Sequence, residues 1–235
     1  MEFYTSALTD YKMLMLLFLS LWFNLTLGGG KSSDQKSSVS LGSYKTLEIS
    51  ASPEYSAKYK KPSKGDPVDM AYEFLELNRG RLGIENPREE LKQTYKALDS
   101  ISGVVTFQQV CKGVPILYSN IAVRFTGTGE LKSVEGDYHY DINLPTTPSI
   151  DSASAVSVAL QAMSSPAHPK VVGPGKPVIV SSKIFRPIKE DRLYLVYIVE
   201  IFPDSTKRLD KFERYYVDAL SGTILYHEWS SILRG

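Results

Sequence analysis

The stretch that most constrains the fold runs from Val104 to Glu130, VVTFQQVCKGVPILYSNIAVRFTGTGE. Its first part alternates. Val105, Phe107 and Gln109 point one way along an extended chain, and Val104, Thr106, Gln108 and Val110 point the other. A side-chain period of two is the mark of a strand. Lys112-Gly113-Val114-Pro115 then interrupts the run, because Gly takes backbone angles other residues avoid and Pro cannot donate to a ladder. From Ile121 the alternation resumes, with Ile121, Val123 and Phe125 set against Ala122 and Arg124, until Gly127-Thr128-Gly129 closes it. The stretch predicts a β-hairpin with one apolar face.

The flanking segments supply a helix and more strands on either side. Asp66-Pro67 reads as a helix start, with Asp at the N-cap, Pro at the first helical position and Asp69 in the first turn. Val68, Ala71, Tyr72 and Leu75 then recur at helical spacing, and Gly80 and Gly83 offer stops. Pro87 to Lys92 reads as a second helical turn or a loop. After Gly129, LKSVEGDYHYDINLP predicts a strand pair bending at Glu135-Gly136-Asp137, in a sheet wet on one face. Leu144-Pro145-Thr146-Thr147-Pro148 is the best candidate boundary. Beyond it a capping cluster, Ser149-Ile150-Asp151-Ser152, opens a helix with Val156, Ala159, Leu160 and Met163 on one face. A Pro- and Gly-rich loop from Pro166 to Pro177 leads to strands at Val178–Phe185, Arg192–Phe202, Phe212–Asp218 and Thr223–Glu228. The expected class is α+β: two tandem small domains, 65–145 and 146–230, each an antiparallel sheet on a helix, with a C-terminal tail at 231–235.

The first 64 residues read differently. Met13–Leu27 is a run of 15 mostly apolar residues behind Lys12 and ahead of Gly28-Gly29-Gly30. It is shorter than the ~20 residues that span hydrocarbon and has the shape of an export signal. Glu2 and Asp10 make the leader before it non-basic, so a downstream start at Met13, an uncleaved anchor within 1–30 or a buried core helix stay open. Gly28–Ser43 is rich in Gly, Ser and Lys, with too little apolar surface to offset the entropy of ordering it. Residues 31–64 are expected to be a flexible linker.

Two resemblances arise from quoted residues. Phe107-Gln108-Gln109, Lys112-Gly113-Val114-Pro115-Ile116, Ala122-Val123-Arg124-Phe125 and Gly129-Glu130-Leu131 resemble the fungalysin/thermolysin propeptide (FTP) domain. Ala155–Ala162, Leu193-Tyr194-Leu195-Val196-Tyr197-Ile198-Val199-Glu200, and Tyr216-Val217-Asp218-Ala219 with Ser221-Gly222-Thr223-Ile224-Leu225 resemble the PepSY domain, which follows FTP in thermolysin-like precursors. Together they cover roughly Asp66 to Leu225. The resemblance implies cystatin-like helix-on-sheet units and the proregion of a secreted zinc metallopeptidase. Such a proregion inhibits its catalytic domain and helps it fold. That catalytic domain, on a separate chain, is the implied partner.

Candidate chemistry is sparse. With 27 Lys and Arg against 26 Asp and Glu, the net charge of +1 gives no field to draw nucleic acid or an anionic surface. The single cysteine, Cys111, excludes a disulfide within the chain and a Cys-based zinc site. It reads as a packed thiol, with only Lys112 nearby to favour a thiolate. There is no Gly-x-Ser-x-Gly elbow. Of the three histidines, His139 and His168 read as exposed, and His227-Glu228-Trp229-Ser230-Ser231 places Ser231 where a His-Glu-x-x-His motif needs its second ligand. The reading is therefore of no catalytic residue, no metal site and no cofactor. Tyr226, Trp229, Ile232 and Leu233 are the candidate partner-binding anchors, since the segment after Leu225 would lie nearest a protease cleft. The alternatives are a split or truncated protease precursor and an envelope module that binds peptides by strand addition.

Overall fold

The computed structural model describes residues 40–41, 43–50, 65–100, 102–163, 168–185, 191–204 and 211–231. Within them the architecture is mixed α+β. In chain order the elements are β1 (Ser40–Leu41), β2 (Ser43–Ser50), α1 (Pro67–Leu77), α2 (Arg79–Leu82), α3 (Pro87–Glu90), β3 (Leu91–Leu98), β4 (Ser102–Cys111), β5 (Val114–Thr126) and β6 (Leu131–Tyr140). Then come α4 (Ser152–Ala162), β7 (Lys170–Val172), β8 (Val178–Ser181), a 3-10 turn (Ser182–Phe185), β9 (Arg192–Phe202), β10 (Lys211–Asp218) and β11 (Ile224–Ser231). The apolar stretch Met13–Leu27 lies outside the described residues. Among the described residues no helix is long and apolar enough to cross a membrane.

The hairpin forms as its alternation demands. β4 and β5 pair antiparallel, and Val105, Phe107, Ile121, Val123 and Phe125 all turn into one core. Lys112 and Gly113, with φ 49° and 84°, make the two-residue turn. Positive φ at both central positions matches the twist of the flanking strands. β3 flanks β4, and β6 flanks β5. Helix α1 covers this face. The Asp66 side chain accepts from the Val68 amide at 2.9 Å, and Met70, Ala71, Phe74 and Leu75 are buried against the strands. Val68 and Tyr72 pack at the rim of that stripe.

Three expectations need correction here. β6 is one continuous strand, with no bend at Gly136. Residues 43–50, read as linker, form the edge strand β2, antiparallel to β6. Leu47 and Ile49 alternate into the α1 core, and burial of two apolar side chains outweighs the cost of ordering the segment. Finally, Leu91–Leu98 is a strand. Only Leu91 on it is fully buried, which is why no periodic apolar signal marks it.

The second half repeats the plan. β9 pairs with β10 on one side and with β8 and β7 on the other, and β11 pairs with β10. Helix α4, capped by Asp151 accepting from the Ser154 amide at 2.8 Å, lays Ala155 and Ala159 on Leu195, Tyr197, Val199, Tyr215 and Val217. Leu144, at the expected boundary, is buried in this core. The halves are not separate sheets. β5 pairs in parallel with β8 at Ile116 and Ile179, so one path runs β11-β10-β9-β8-β5-β4-β3, and the described residues fall in one compact unit with a core under each helix and a smaller third cluster, Val180, Phe185, Val196 and Tyr216, on the sheet face away from α4.

Candidate functional site

The two halves meet where β5 leaves one ladder for the other. Gln108 pairs with Asn120, but Val110 pairs with Pro115, so residues 116–119 loop out of register. Tyr118 holds the detour with φ 64°, an uncommon conformation for a non-glycine residue, and leaves its ring 61% exposed. Such a detour strips backbone groups of their ladder partners, and buried ones must be satisfied another way. Here two side-chain amides do it. Gln108 Nε2 donates to the carbonyls of Ile116 and of Ser119, the latter at 2.9 Å. Gln109 imitates a peptide group toward His139: its Nε2 donates to the His139 carbonyl at 2.5 Å and its Oε1 accepts from the His139 amide at 2.9 Å. Ser119 Oγ lies 2.6 Å from Gln109 Oε1 and 2.8 Å from the Asp137 carbonyl, and its one proton serves one of them at a time. The Phe107-Gln108-Gln109 string is thus one core residue followed by two staples.

His139 is the centre of the seam. It is 4% exposed, contrary to the reading of an exposed histidine. Its Nδ1 faces Asp191 Oδ2 at 3.9 Å, beyond hydrogen-bonding distance, and this nitrogen has no hydrogen-bond partner among the described residues. Asp191 precedes β9 and so belongs to the other half. Its Oδ1 accepts from Ser181 Oγ at 2.5 Å, and its Oδ2 lies 3.1 Å from Lys183 Nζ. That ammonium also sits 3.5 Å from the centroid of the Tyr44 ring, which in turn packs 5.3 Å from the His139 ring. Burial holds the His139 imidazole below the usual histidine range, with Lys183 adding to the effect and Asp191 and Asp137 opposing it. Ser181, Asp191 and His139 resemble a hydrolytic triad only in composition. The hydroxyl is bonded to the carboxylate and not to the imidazole, so the order serine–histidine–aspartate that such a triad needs is not formed.

Beside the seam opens a cleft of about 1350 Å³, whose lining includes Arg79, Glu85, Glu89, Lys112, His139 and Asp141. Its walls carry both signs of charge. Cys111 is there too, half-buried; burial pushes its thiol up, with Lys112 only partly opposing, so it is no ready nucleophile. Glu90 accepts from the Tyr138 hydroxyl and from the Asn86 amide, and burial raises its carboxyl above the ordinary range. Among the described residues no three of His, Cys, Asp and Glu gather closely enough to hold a metal ion.

The anchors expected at the C-terminal end are divided. Tyr226 is half-buried on the face of the sheet away from α4, with ring centroids 5.5 Å from Phe185 and 5.9 Å from Tyr216. Trp229, three residues on along the same strand, projects from the opposite face and is 61% exposed. The two residues therefore do not share a surface. Ile232 and Leu233 lie outside the described residues. β11 pairs only with β10 among the described residues, which leaves its other edge open. His227 of β11 stacks on its cross-strand partner Tyr215 of β10 at 5.4 Å, and His168 is exposed in a bridge to Asp204. Asp191 and Lys183 went unnoticed in the sequence. The one signal pointing toward their site was a polar Gln109 at an inward position of an otherwise apolar strand face.

No protein-family profile matches the chain. No curated protein matches it either. Among solved structures it is similar to the Bacillus megaterium YpeB C-terminal domain, with 16% identity over 91% of this chain and 95% of that one and a TM-score of 0.34. A likeness that loose assigns neither a fold family nor an activity.

Proposed function

We propose that the chain is a non-enzymatic binding module of propeptide type, which holds a thermolysin-like zinc metalloprotease inactive and assists its folding. In this reading the half built on α1 is FTP-like and the half built on α4 is PepSY-like, and residues 13–27 direct export. The observation that carries it is the outer edge of β11, unpaired among the described residues, with Trp229 exposed on that strand. An unpaired strand edge accepts an extended segment through main-chain hydrogen bonds, and a neighbouring aromatic adds an anchor. A partner that binds the native protease stabilises it against its unfolded form by mass action, so one surface serves both inhibition and folding. The seam fits the same reading, because its histidine, hydroxyl and carboxylate are wired for structure.

The test mixes the purified chain with thermolysin-like metalloproteases and follows peptidase activity and refolding yield. Inhibition is expected. Trp229→Ala should weaken it at least about tenfold, as for an interface anchor. Truncation after Ser231, which removes Ile232 and Leu233 and keeps β11, should weaken it as well. No inhibition and no gain in refolding yield with any such protease would sink the proposal. The same open edge favours a second reading, an envelope module that takes up peptide strands. Recovery of non-protease partners alone in a pull-down from secreted material would favour that one.

A further inference from the structure

β2 runs beside the seam, and one of its side chains is tied into the charged cluster there. Tyr44 packs between His139, 5.3 Å away, and Lys183, whose ammonium lies 3.5 Å over the ring. Both His139 and Lys183 address one carboxylate oxygen: Asp191 Oδ2 is 3.1 Å from Lys183 Nζ and 3.9 Å from His139 Nδ1. With His139 neutral there is one cation for that oxygen. With His139 protonated there are two, both beside the Tyr44 ring. Asp137, the further acid near the imidazole, already accepts from Thr46 Oγ1 at 3.1 Å. Its engagement is with β2 itself.

We infer that this cluster is a pH-dependent latch on β2. At neutral pH Lys183 is clamped between Asp191 and Tyr44 and holds the strand on the seam. On acidification His139 takes up a proton from solvent, its Nδ1–H claims Asp191 Oδ2, and repulsion from the new cation drives Lys183 off the carboxylate and the ring. The clamp on Tyr44 is then lost, and β2 loosens at the Ser43 end. Burial sets the sign. A histidine held below its ordinary 6.5 is neutral in the folded protein at neutral pH. Its contribution to stability is complete above that value and declines as pH falls beneath it.

Hydrogen exchange on the full chain reads this directly. Between about pH 7.5 and about pH 5.5, protection of residues 43–50, corrected for intrinsic exchange, should fall roughly tenfold. Protection of β3, residues 91–98, at the far edge of the same half, should stay constant. An imidazole titration of His139 by NMR should give the same midpoint, below 6.5. His139→Gln should abolish the acid response. Because a buried substitution can disturb folding, Lys183→Met, at a half-exposed side chain, provides the second arm and should also remove it. An acid response that persists in either folded variant, or that is missing from the wild type, overturns the latch. So does a midpoint in the carboxylate range.

Discussion

Gly136 sits in the middle of β6 with φ 143°, paired to Leu47 on one side and Ile121 on the other. A Cβ built there would lie 1.9 Å from the Asn120 carbonyl oxygen, on the shoulder of the β5 detour. Both the backbone angle and the space exclude a side chain. Gly136→Ala should therefore cost about 3 kcal/mol or more, read as a lower urea midpoint; a wild-type midpoint would mean that β5 and β6 do not approach this closely. Gln109 is the complementary case. Removing its amide by Gln109→Ala takes the side-chain partner from both backbone groups of His139, while the Ser119 hydroxyl keeps the Asp137 carbonyl. A loss of about 2–3 kcal/mol is expected, since each orphaned buried group costs about 1–3 kcal/mol. Gln109→Glu, which keeps the shape but loses the donor, should be no better. Residues such as Val105, Phe107 and Val123 could be placed from the sequence because apolar alternation is a local property. The role of Gln109 could not, because its partner His139 lies thirty residues away. His139 itself stands between two tyrosines, Tyr138 and Tyr140, with no apolar contrast to show which of the three points inward.

Strands differ in how plainly they can be read. β9 is apolar on both faces because α4 covers one and Phe185, Tyr216 and Tyr226 gather on the other. β3 and β2 are edges, and an edge strand needs few apolar residues. In β2 the whole signal is Leu47 and Ile49, two residues inside a run dominated by Lys, Ser and Glu that predicts a linker. Leu47→Ala tests that these two hold the strand. It should cost about 2–3 kcal/mol and raise amide exchange over residues 43–50; an unchanged midpoint would return the segment to linker status. The helix starts were legible, since Asp66 and Asp151 are read directly from capping patterns. Their acid behaviour follows from the bonds they make. The Lys96 ammonium and the Val68 amide hold Asp66 below the ordinary carboxylate range, and the Ser154 amide does the same for Asp151. A depressed folded-state value means stability that is present above about pH 4 and lost as pH falls through the lower, folded value. Asp66→Asn and Asp151→Asn should each flatten part of that acid loss in a pH series of thermal midpoints. A series identical to wild type would remove the caps from the account of acid unfolding.

Two cores built on two helices suggest two bodies that fold alone, and that is how the periods read along the chain. The connectivity argues otherwise. β5 supplies Ile121, Val123 and Phe125 to the α1 core and Ile116 to the α4 core, so neither is complete without the same strand. The crossing between them is sealed by Gln108, Gln109 and Ser119, whose bonds cannot form until both ends of the detour are in place. Long-range pairing of this kind makes cooperative units larger, because a partly unfolded chain would leave that buried polar set unsatisfied. The expected behaviour is one unfolding transition, with circular dichroism and tyrosine and tryptophan fluorescence coincident. Phe74→Ala in one core and Val199→Ala in the other should each lower the shared midpoint and leave the transition single. Their costs, about 3–5 kcal/mol for the aromatic and less for valine, should add when combined, since the two side chains share no cluster. Two separate transitions, or a mutant that lowers one probe and not the other, would show that the halves unfold independently. The seam would then be a docking contact between folded bodies, and the latch at His139 would act on their association.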